Sequence, residues 1–207
     1  MPTRKPALPA PALSTRERVL GAAERLLATG RPEFSMRDLA TEAGVSFATP
    51  FNQFGSKVAI MHALSAERIE AMHARLAASA PPEPGPARVL AAMEIAASVM
   101  LERPEVNRVV MGALGAPAAA PGHVFARSRA LWAEAMGDAA TFADPAGANA
   151  LLPDQLAFAF RGVLSFWTAG EIADADLVAS ARRAAAMAML GFAPPEMRRV
   201  LLATCSR

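Results

Sequence analysis

Helix-start and helix-stop signals follow one another at short intervals between residues 14 and 57, and this spacing limits the possible folds more than any other feature. A serine before a helix caps its free amides, and a glycine closes a helix because it tolerates positive φ. The residues that supply these signals alternate along the chain: Ser14, Gly30, Ser35, Gly44, Ser46, Gly55 and Ser56. They predict a first helix, two helices of only about two turns, and a longer fourth helix.

Two of these helix starts have the form of a capping box, in which a serine and an acidic residue three positions later satisfy each other's backbone amides. They are Ser14 with Glu17 and Ser35 with Asp38. Apolar residues recur at helical spacing after both starts: Val19, Leu20, Ala23, Leu26 and Leu27 in the first helix, and Met36, Leu39, Ala40 and Ala43 in the second. Two short helices joined by a glycine turn and flanked by capped helices are typical of a helix-turn-helix.

The composition favours an all-α protein. Hydrophobic residues make up 53% of the 207, aromatic residues only 6%, and tyrosine is absent. Strands prefer β-branched and aromatic residues, whereas alanine, leucine and methionine favour helices. After residue 80, proline and glycine separate further segments of helical periodicity: 86–102, 104–115, 121–142, 153–170, 174–192 and a short amphipathic tail near 195–203. We therefore predict a helix-turn-helix domain followed by a larger helical bundle.

Prolines mark the ends of the predicted domains. Residues 1–13 hold four prolines and are expected to form a disordered tail. The helix-turn-helix domain is predicted to span residues 14–60, with its fourth helix continuing to about residue 79. The proline-rich run 81–86 ends that helix, and residues 80–207 form the second, helical domain.

Charge is distributed unevenly between these domains. Residues 1–60 carry eight Lys/Arg and five Asp/Glu, a net charge of +3, while residues 61–207 carry thirteen and fourteen, a net charge of −1. A basic excess at the N-terminal end suits contact with nucleic acid there.

Several classes of protein are disfavoured by the residues that the sequence lacks. Cys205 is the only cysteine, so neither a disulfide framework nor a cysteine zinc site can be built. His62 and His73 are too far apart on one helix to share a metal, and no phosphate loop or nucleophile motif is present. We therefore expect no catalytic activity, metal or cofactor. With no signal peptide and no long apolar run, the chain is expected to be cytoplasmic and to have no membrane partner.

The segment from Ser46 to Lys57 resembles a known family signature. It reads Ser-Phe-Ala-Thr-Pro-Phe-Asn-Gln-Phe-Gly-Ser-Lys and follows Met36-Arg-Asp-Leu-Ala and Ala43-Gly-Val. TetR-type repressors carry approximately G-V-S-x-G-T-L-Y-x-H-F-x-S-K at this place, and the resemblance covers about the first 60 residues. Four positions depart from that pattern: Ala48 stands for glycine, Pro50 for an apolar residue, Phe51 for tyrosine and Gln53 for histidine.

The resemblance implies a DNA-binding role for ten residues of the helix-turn-helix. Phosphate contacts are implied for Ser35, Arg37, Thr49, Gln53 and Lys57, and contacts to base edges for Phe47, Ala48 and Asn52. Phe51 is expected to act through packing, because it lacks the hydroxyl with which the usual tyrosine reaches a phosphate. Ser46, like Ser35 and Ser56, is expected to cap a helix first and to contact a phosphate second. Each polar residue could instead be a solvated surface position.

By the same resemblance, the second domain binds a ligand and forms a dimer. The candidate pocket residues are Met93, Met100, Met111, Phe125, Trp132, Met136, Phe158 and Arg161. Methionine suits an adaptable apolar pocket, so the expected effector is a small, largely apolar molecule. The competing interpretation is that these side chains are ordinary core. Arg161 is expected to pair with an acid such as Glu134 or Glu171, or else to bind a polar group of the effector.

The dimer is expected to form through the segments 153–170 and 174–192. The first is apolar nearly all round and needs partners on every side, and small residues in the second allow helices to approach closely. The candidate interface residues are Phe160, Leu164, Trp167, Ala181, Ala184, Ala185 and Ala188. Two such helices from each subunit would form a four-helix homodimer interface.

The sequence thus predicts a ligand-responsive regulator of transcription, a homodimeric repressor that a small apolar effector releases from a palindromic double-stranded operator. The alternative is a helical ligand-binding or scaffold protein whose helix-turn-helix only packs. An all-helical enzyme is a more distant third. Polar side chains suited to phosphate cluster in residues 44–57 beside an apolar tip, and a packing unit does not need that combination.

Overall fold

The computed structural model describes residues 13–79, 85–115 and 123–206, and in those ranges the chain is helical without any strand. The prediction of an all-α fold is confirmed. The chain divides into two compact units, the first ending at Ser56 and the second beginning at Lys57. Residues 1–12 of the predicted tail and residues 80–84 of the linker lie outside the described residues. Within the described ranges, no helix is both long enough and apolar enough to cross a membrane.

The first unit contains α1 (Thr15–Ala28), α2 (Met36–Ala43) and α3 (Ala48–Phe54). Apart from the half-buried Met36, the apolar side chains predicted for the first two helices are buried. Burial of a leucine contributes about 1.5–3 kcal/mol, so packing rather than helix propensity stabilises these short helices. The core of the unit is Val19, Leu20, Ala22, Ala23, Leu26, Leu27, Phe34, Leu39, Ala40 and Ala43.

Both predicted capping boxes are present. The Glu17 amide donates to Ser14 Oγ at 3.2 Å, and the Ser14 amide donates to Glu17 Oε2 at 2.7 Å. The Ser35 amide donates to Asp38 Oδ2 at 2.9 Å, and the Asp38 amide donates to Ser35 Oγ at 3.1 Å. Hydrogen bonds from Ser14, the side-chain bond foremost, hold the pKa of Glu17 below its ordinary value. Those from Ser35, the backbone bond foremost, lower the pKa of Asp38.

The turn between α2 and α3 depends on Gly44, whose φ of 62° and ψ of 42° lie in the left-handed region. The amides of Gly44 and Val45 bond back to carbonyls in the last turn of α2, which is a Schellman arrangement. Arg18 of α1 donates to the carbonyls of Ala43 and Gly44 at 2.9 and 2.7 Å. A cation at the C-terminus of α2 is favoured by the helix dipole, so Arg18 secures the turn that leads into α3.

The second unit is built from the helices that follow. Within it, α5 packs against α4, α7 and α9, and α8 packs against α7 and α9. Trp132 and Trp167 are the largest fully buried side chains of their shared core. The elements are α4 (Lys57–Ala78), α5 (Pro86–Leu101), α6 (Pro104–Ala113), α7 (Val124–Met136), the 3-10 turn Ala139–Thr141, α8 (Pro145–Thr168), α9 (Asp174–Met189) and α10 (Pro195–Cys205).

The predicted start of α8 is wrong. The sequence predicts Pro153 as the first residue of the helix, but it lies inside α8 and is buried. The helix begins at Pro145 because Asp144 caps it, accepting from the Gly147 amide at 3.0 Å. Proline suits the first position of a helix, where its missing amide has no intrahelical partner to lose.

The predicted helix 121–142 is shorter in the structure. α7 ends at Met136, where Gly137 leaves the helix with a φ of 60°. The residues after it form the 3-10 turn, which Asp138 begins by accepting from the Ala140 amide at 3.0 Å. A glycine followed by an aspartate thus ends one element and starts the next.

Candidate nucleic-acid interface and ligand cavity

The outer side of α3 carries two exposed aromatic rings. Phe47, which precedes the helix, is 60% exposed, and Phe51, one turn on, is 63% exposed. Ala48 and Asn52 are exposed beside them, and the spacing of these four residues places them on one side of the helix. We call these four residues the α3 face. Large apolar side chains left in water indicate a surface that contacts another molecule.

Three polar side chains, Ser46, Thr49 and Gln53, flank the α3 face. The hydroxyl oxygens of Ser46 and Thr49 are hydrogen-bonded at 2.7 Å, and Gln53 is exposed. The predicted cap at Ser46 is wrong, because α3 begins at Ala48 and its N-cap position is Phe47, which forms no side-chain cap bond. Hydroxyl and amide groups of this kind can donate to phosphate oxygens.

Two arginines pack on aromatic rings at either side of α3. The guanidinium carbon of Arg37 lies 5.3 Å from the centroid of the Phe47 ring, and that of Arg16 lies 4.8 Å from the centroid of Phe54. Such a cation–π contact contributes about 0.5–1 kcal/mol at an exposed site. Arg37 therefore holds the exposed Phe47 ring in place and adds a positive charge to the edge of the α3 face.

Arg25 and Ser35 have roles in the framework of the helix-turn-helix. Arg25 Nε pairs with Glu42 Oε1 at 2.6 Å, which adds a second link between α1 and the end of α2. Ser35 is confirmed as a cap, and it remains exposed. Lys57 is the first residue of α4 and is half-buried. These contacts fix α2 and the turn after it, on which the position of α3 depends.

The second unit contains a cavity of about 370 Å³. Sites for small molecules occupy about 300–1,000 Å³, so its size suits a small ligand. Side chains from α4, α5, α6, α7 and α8 form the wall. Most of these side chains are apolar, and three of them are methionines: Met72, Met100 and Met111.

The structure divides the predicted pocket residues into two groups. Those that line the cavity are Met100, Met111, Phe125, Phe158 and Arg161. Met93, Trp132 and Met136 are instead fully buried in the core. Their helices are covered on more than one side, so an apolar residue on them can face either the cavity or a neighbouring helix.

Sequence reasoning missed the part that α4 plays in the cavity wall. His62, Ser65, Ile69 and Met72 recur at intervals of three and four residues and line the cavity from one side of the helix. Arg68 reaches the cavity beside them. The signal available in the sequence was a row of three polar residues, His62, Ser65 and Arg68, at intervals of three along the helix.

Most of the predicted dimer residues are covered by their own chain. Phe160 and Leu164 are buried and line the cavity, and Trp167 is fully buried, its Nε1 donating to Asp174 Oδ1 at 2.7 Å. Ala181 and Ala185 are fully buried as well, whereas Ala184 and Ala188 are partly exposed. A fully covered side chain cannot contact a second subunit. The large apolar side chains that α8 and α9 leave exposed are Leu151, Phe158, Phe166 and Met187.

The expected ion pair of Arg161 is also wrong. Glu134 pairs with His73, its Oε2 lying 2.5 Å from His73 Nδ1. Arg161 Nη2 donates instead to the carbonyl oxygen of Met111 at 3.3 Å. The other expected partner, Glu171, lies just beyond the end of α8 and is exposed. Arg161 therefore faces the cavity with neutral neighbours in the described part of the chain.

Comparisons with known proteins agree with this architecture. Residues 19–64 match the family model described as bacterial regulatory proteins, tetR family. Among solved structures, the chain is similar to a TetR transcriptional regulator from Rhodococcus sp. RHA1, with a TM-score of 0.69 and 22% sequence identity. That similarity covers 84% of this chain and 96% of the other. None of the curated proteins matches this sequence.

Proposed function

We propose that this chain is a DNA-binding transcriptional regulator of the TetR family, a repressor that binds a palindromic operator as a homodimer and is released by a small effector. The observation that carries the proposal is the exposed α3 face, where two phenylalanine rings and Asn52 lie in solvent. A helix-turn-helix that served only for packing would bury that face. This is the physical reason for preferring a regulator to a helical scaffold.

The chemistry of the α3 face suits the major groove of DNA. An asparagine can bond to both polar atoms on the groove edge of an adenine, and methyl or phenyl groups suit the methyl group of a thymine. Asn52 would take the first role, and Phe47 and Ala48 the second. Phe51 is among the residues that the resemblance assigns to DNA binding, and it is expected to act through packing. Its ring is 63% exposed on the same face, so it can pack against the DNA.

Groups beside the α3 face, and separately those at the start of α4, would position the protein on the DNA backbone. Arg37 brings a charge beside Phe47, and Thr49 and Gln53 offer neutral donors on one flank. Lys57 and the amides at the start of α4 would together favour a phosphate, because a helix N-terminus carries a partial positive charge. The hydroxyl groups of Ser35 and Ser46 bond to Asp38 and Thr49 within the protein. Both serines are exposed, so they would also contact the DNA backbone.

Exposed apolar side chains on α8 and α9 support a dimer. Leu151, Phe158 and Phe166 of α8 are each more than half exposed, and Met187 of α9 is 58% exposed. Gly162 lies between the two phenylalanines, and with no side chain it allows another helix to approach closely. A second copy of the chain would cover this surface, and a two-fold dimer would require a palindromic operator.

The cavity supports a response to a small, largely apolar effector. Part of its wall comes from α4, the helix that begins directly after the first unit ends. A ligand that binds one arrangement of α4 better than another shifts the population toward that arrangement. Release from the operator follows if the favoured arrangement separates the two α3 helices by the wrong distance.

Selection of DNA from a random duplex library, at a stated and low salt concentration, tests the proposal. We expect the wild-type protein to enrich inverted half-sites whose centres lie about 34 Å apart, or a multiple of that spacing. Phe51→Ala should weaken the enrichment, while Leu202→Ala, which truncates a half-exposed side chain on α10, should leave it unchanged. Recovery of no preferred sequence by the wild-type protein contradicts the proposal.

A further inference from the structure

Two guanidinium groups line the cavity of the second unit, and no carboxylate from the described residues does. Arg68 reaches the cavity from α4 and Arg161 from α8. Because the surrounding wall is apolar, the field of these charges is less screened inside the cavity than it would be in water. The described lining therefore combines apolar side chains with two guanidinium groups.

Arg161 is the more available of the two arginines. Arg68 Nε donates to Asn107 Oδ1 at 2.8 Å, and Asn107 in turn donates to the Met100 carbonyl at 2.9 Å. Arg161 bonds only to the carbonyl oxygen and the sulfur of Met111 within the described part of the chain, at 3.3 and 3.7 Å. Neither of those groups carries a charge that could balance the guanidinium.

Arg161 is also partly withdrawn from water. Loss of water lowers the pKa of its guanidinium from the ordinary value. An arginine nevertheless stays protonated in proteins, so the positive charge persists in the cavity wall. An anion that enters the cavity would supply the missing counter-charge.

His62 supplies two further polar atoms at the cavity. Its Nδ1 and Nε2 are both buried, and neither forms a hydrogen bond to another described residue. Buried polar atoms are nearly always hydrogen-bonded, so this ring has unused capacity that a ligand can satisfy. A neutral imidazole can donate from one nitrogen, which suits a carboxylate oxygen.

The apolar part of the wall suits a hydrocarbon. The methionines are flexible and polarisable, so they adapt to apolar ligands of different shape. Phe125 and Phe158 stack with ring centroids 5.1 Å apart and planes within 10° of parallel. Both line the cavity, and in the single chain they are about half exposed, at 47% and 56%.

We infer that the cavity binds an amphipathic organic carboxylate, with the carboxylate on Arg161 and His62 and the hydrocarbon body along the methionines toward the stacked phenylalanines. The planar fork of arginine matches a carboxylate with two parallel hydrogen bonds. A neutral hydrocarbon would leave Arg161 without a counter-ion, and a cation would be repelled by both arginines. The inference rests on the proposed function only in taking this ligand to be the effector.

Titration calorimetry on the full-length protein tests the inference with three probes that share one hydrocarbon chain: decanoate, decanol and decylamine. We expect decanoate to bind about tenfold more tightly than decanol, because a charge-assisted bond is stronger than a neutral one. Decylamine, which is cationic at neutral pH, should not bind. Equal affinity for decanoate and decanol overturns the inference, and so does a failure of decanoate to bind.

Variants assign the preference to particular residues. Arg161→Gln should remove the preference for decanoate and leave the affinity for decanol unchanged, and His62→Phe should reduce the preference. Arg129→Gln is the matched control. Arg129 pairs with Asp154 at 2.6 Å, and it is not among the residues that line the cavity. Far-UV circular dichroism shows whether each variant folds. A preference that survives Arg161→Gln in a folded protein overturns the assignment.

DNA binding measured on the same preparations separates this inference from the proposed function. A protein that binds operator DNA but shows no preference for decanoate retains the proposed function and loses the inference. A protein that binds decanoate through Arg161 but binds no DNA retains the carboxylate site, and its role as effector site is lost. Decanoate that binds and weakens operator affinity supports both.

Discussion

Asn52 and Lys57 represent two kinds of DNA contact that experiments can separate. Asn52 lies on the exposed α3 face, where it can read a base. Asn52→Ala is therefore expected to cost about 1–3 kcal/mol at one operator position and to relax the preference there. Binding titrations on the operator and on single-base variants measure this effect. Equal loss on operator and random DNA would remove Asn52 from the base-reading residues.

Lys57→Ala provides the contrast to that change. A lysine that contacts a phosphate adds affinity for every sequence, so its loss should weaken binding to operator and random DNA alike. The slope of log affinity against log salt should fall by about one unit for the contact removed. If the loss of affinity depended on the DNA sequence and the salt slope did not change, Lys57 would not act through the DNA phosphates.

Arg161 shows why single residues are harder to predict from sequence than helices. The sequence identifies Arg161 as a buried charge that either pairs with an acid or binds the effector. Its actual partner depends on which helix packs against its side of α8. Three of the predicted pocket residues likewise belong to the core. The periodicity of the sequence shows that they are buried, but it does not show whether they face the cavity or a neighbouring helix. The cavity residues of α4 were missed for the same reason.

At the scale of the elements, the turn at Gly44 is the most sensitive point of the first unit. An alanine there would have to adopt a left-handed conformation, which costs about 1–2 kcal/mol. Its Cβ would also lie 3.3 Å from Arg18 Nη2, the group that secures the turn. Gly44→Ala should therefore destabilise the first unit, and hydrogen exchange of the α1 and α2 amides in the full chain measures the loss.

Gly21 supplies the matched control for that variant. It lies inside α1, and an added Cβ there would meet no atom closer than Arg25 Nη1 at 3.6 Å. Because alanine is favoured over glycine in a helix, Gly21→Ala should stabilise the unit by about 0.5–1 kcal/mol. If both substitutions destabilised the unit equally, the left-handed turn at Gly44 would not be the cause of the loss in Gly44→Ala.

The capping box at α2 makes a prediction about pH. Because Ser35 lowers the pKa of Asp38 in the folded chain, the ionised carboxylate stabilises the fold above the pKa of the unfolded chain. That contribution is lost as the pH falls through the lowered folded pKa. A carbon-detected NMR titration should place the midpoint of the Asp38 carboxyl below the usual value of about 3.9. A midpoint at or above that value would contradict the capping role.

Helix bounds were predictable where the signals are local. Capping boxes and closing glycines act within four or five residues, so α1, α2 and the turn at Gly44 follow from the sequence alone. Pro153 misled the prediction of α8, because proline usually ends a helix and only the surrounding packing shows that this one does not. The failures thus occur where tertiary contacts override a local preference.

At the scale of the whole molecule, the proposed dimer depends on the apolar side chains that α8 leaves exposed. Phe166 is 54% exposed, and a glutamate in its place would put a charge into the subunit interface. Phe166→Glu should therefore give monomers in sedimentation experiments at micromolar concentration. Leu202→Glu makes the same change at an equally exposed site on α10 and should remain dimeric. A monomeric wild-type protein under these conditions would refute the dimer.

Operator preference measured by fluorescence anisotropy tests the central claim most directly. The wild-type protein is titrated, at one stated salt concentration, into the selected operator and into a scrambled duplex of the same length and composition. Specific binding typically exceeds non-specific binding by about 10³-fold or more, and we expect that preference here. The folded double variant Phe47→Ala/Asn52→Ala should bind both duplexes with equal, weak affinity. Equal binding of the two duplexes by the wild-type protein, or no binding even at low salt, would contradict the account.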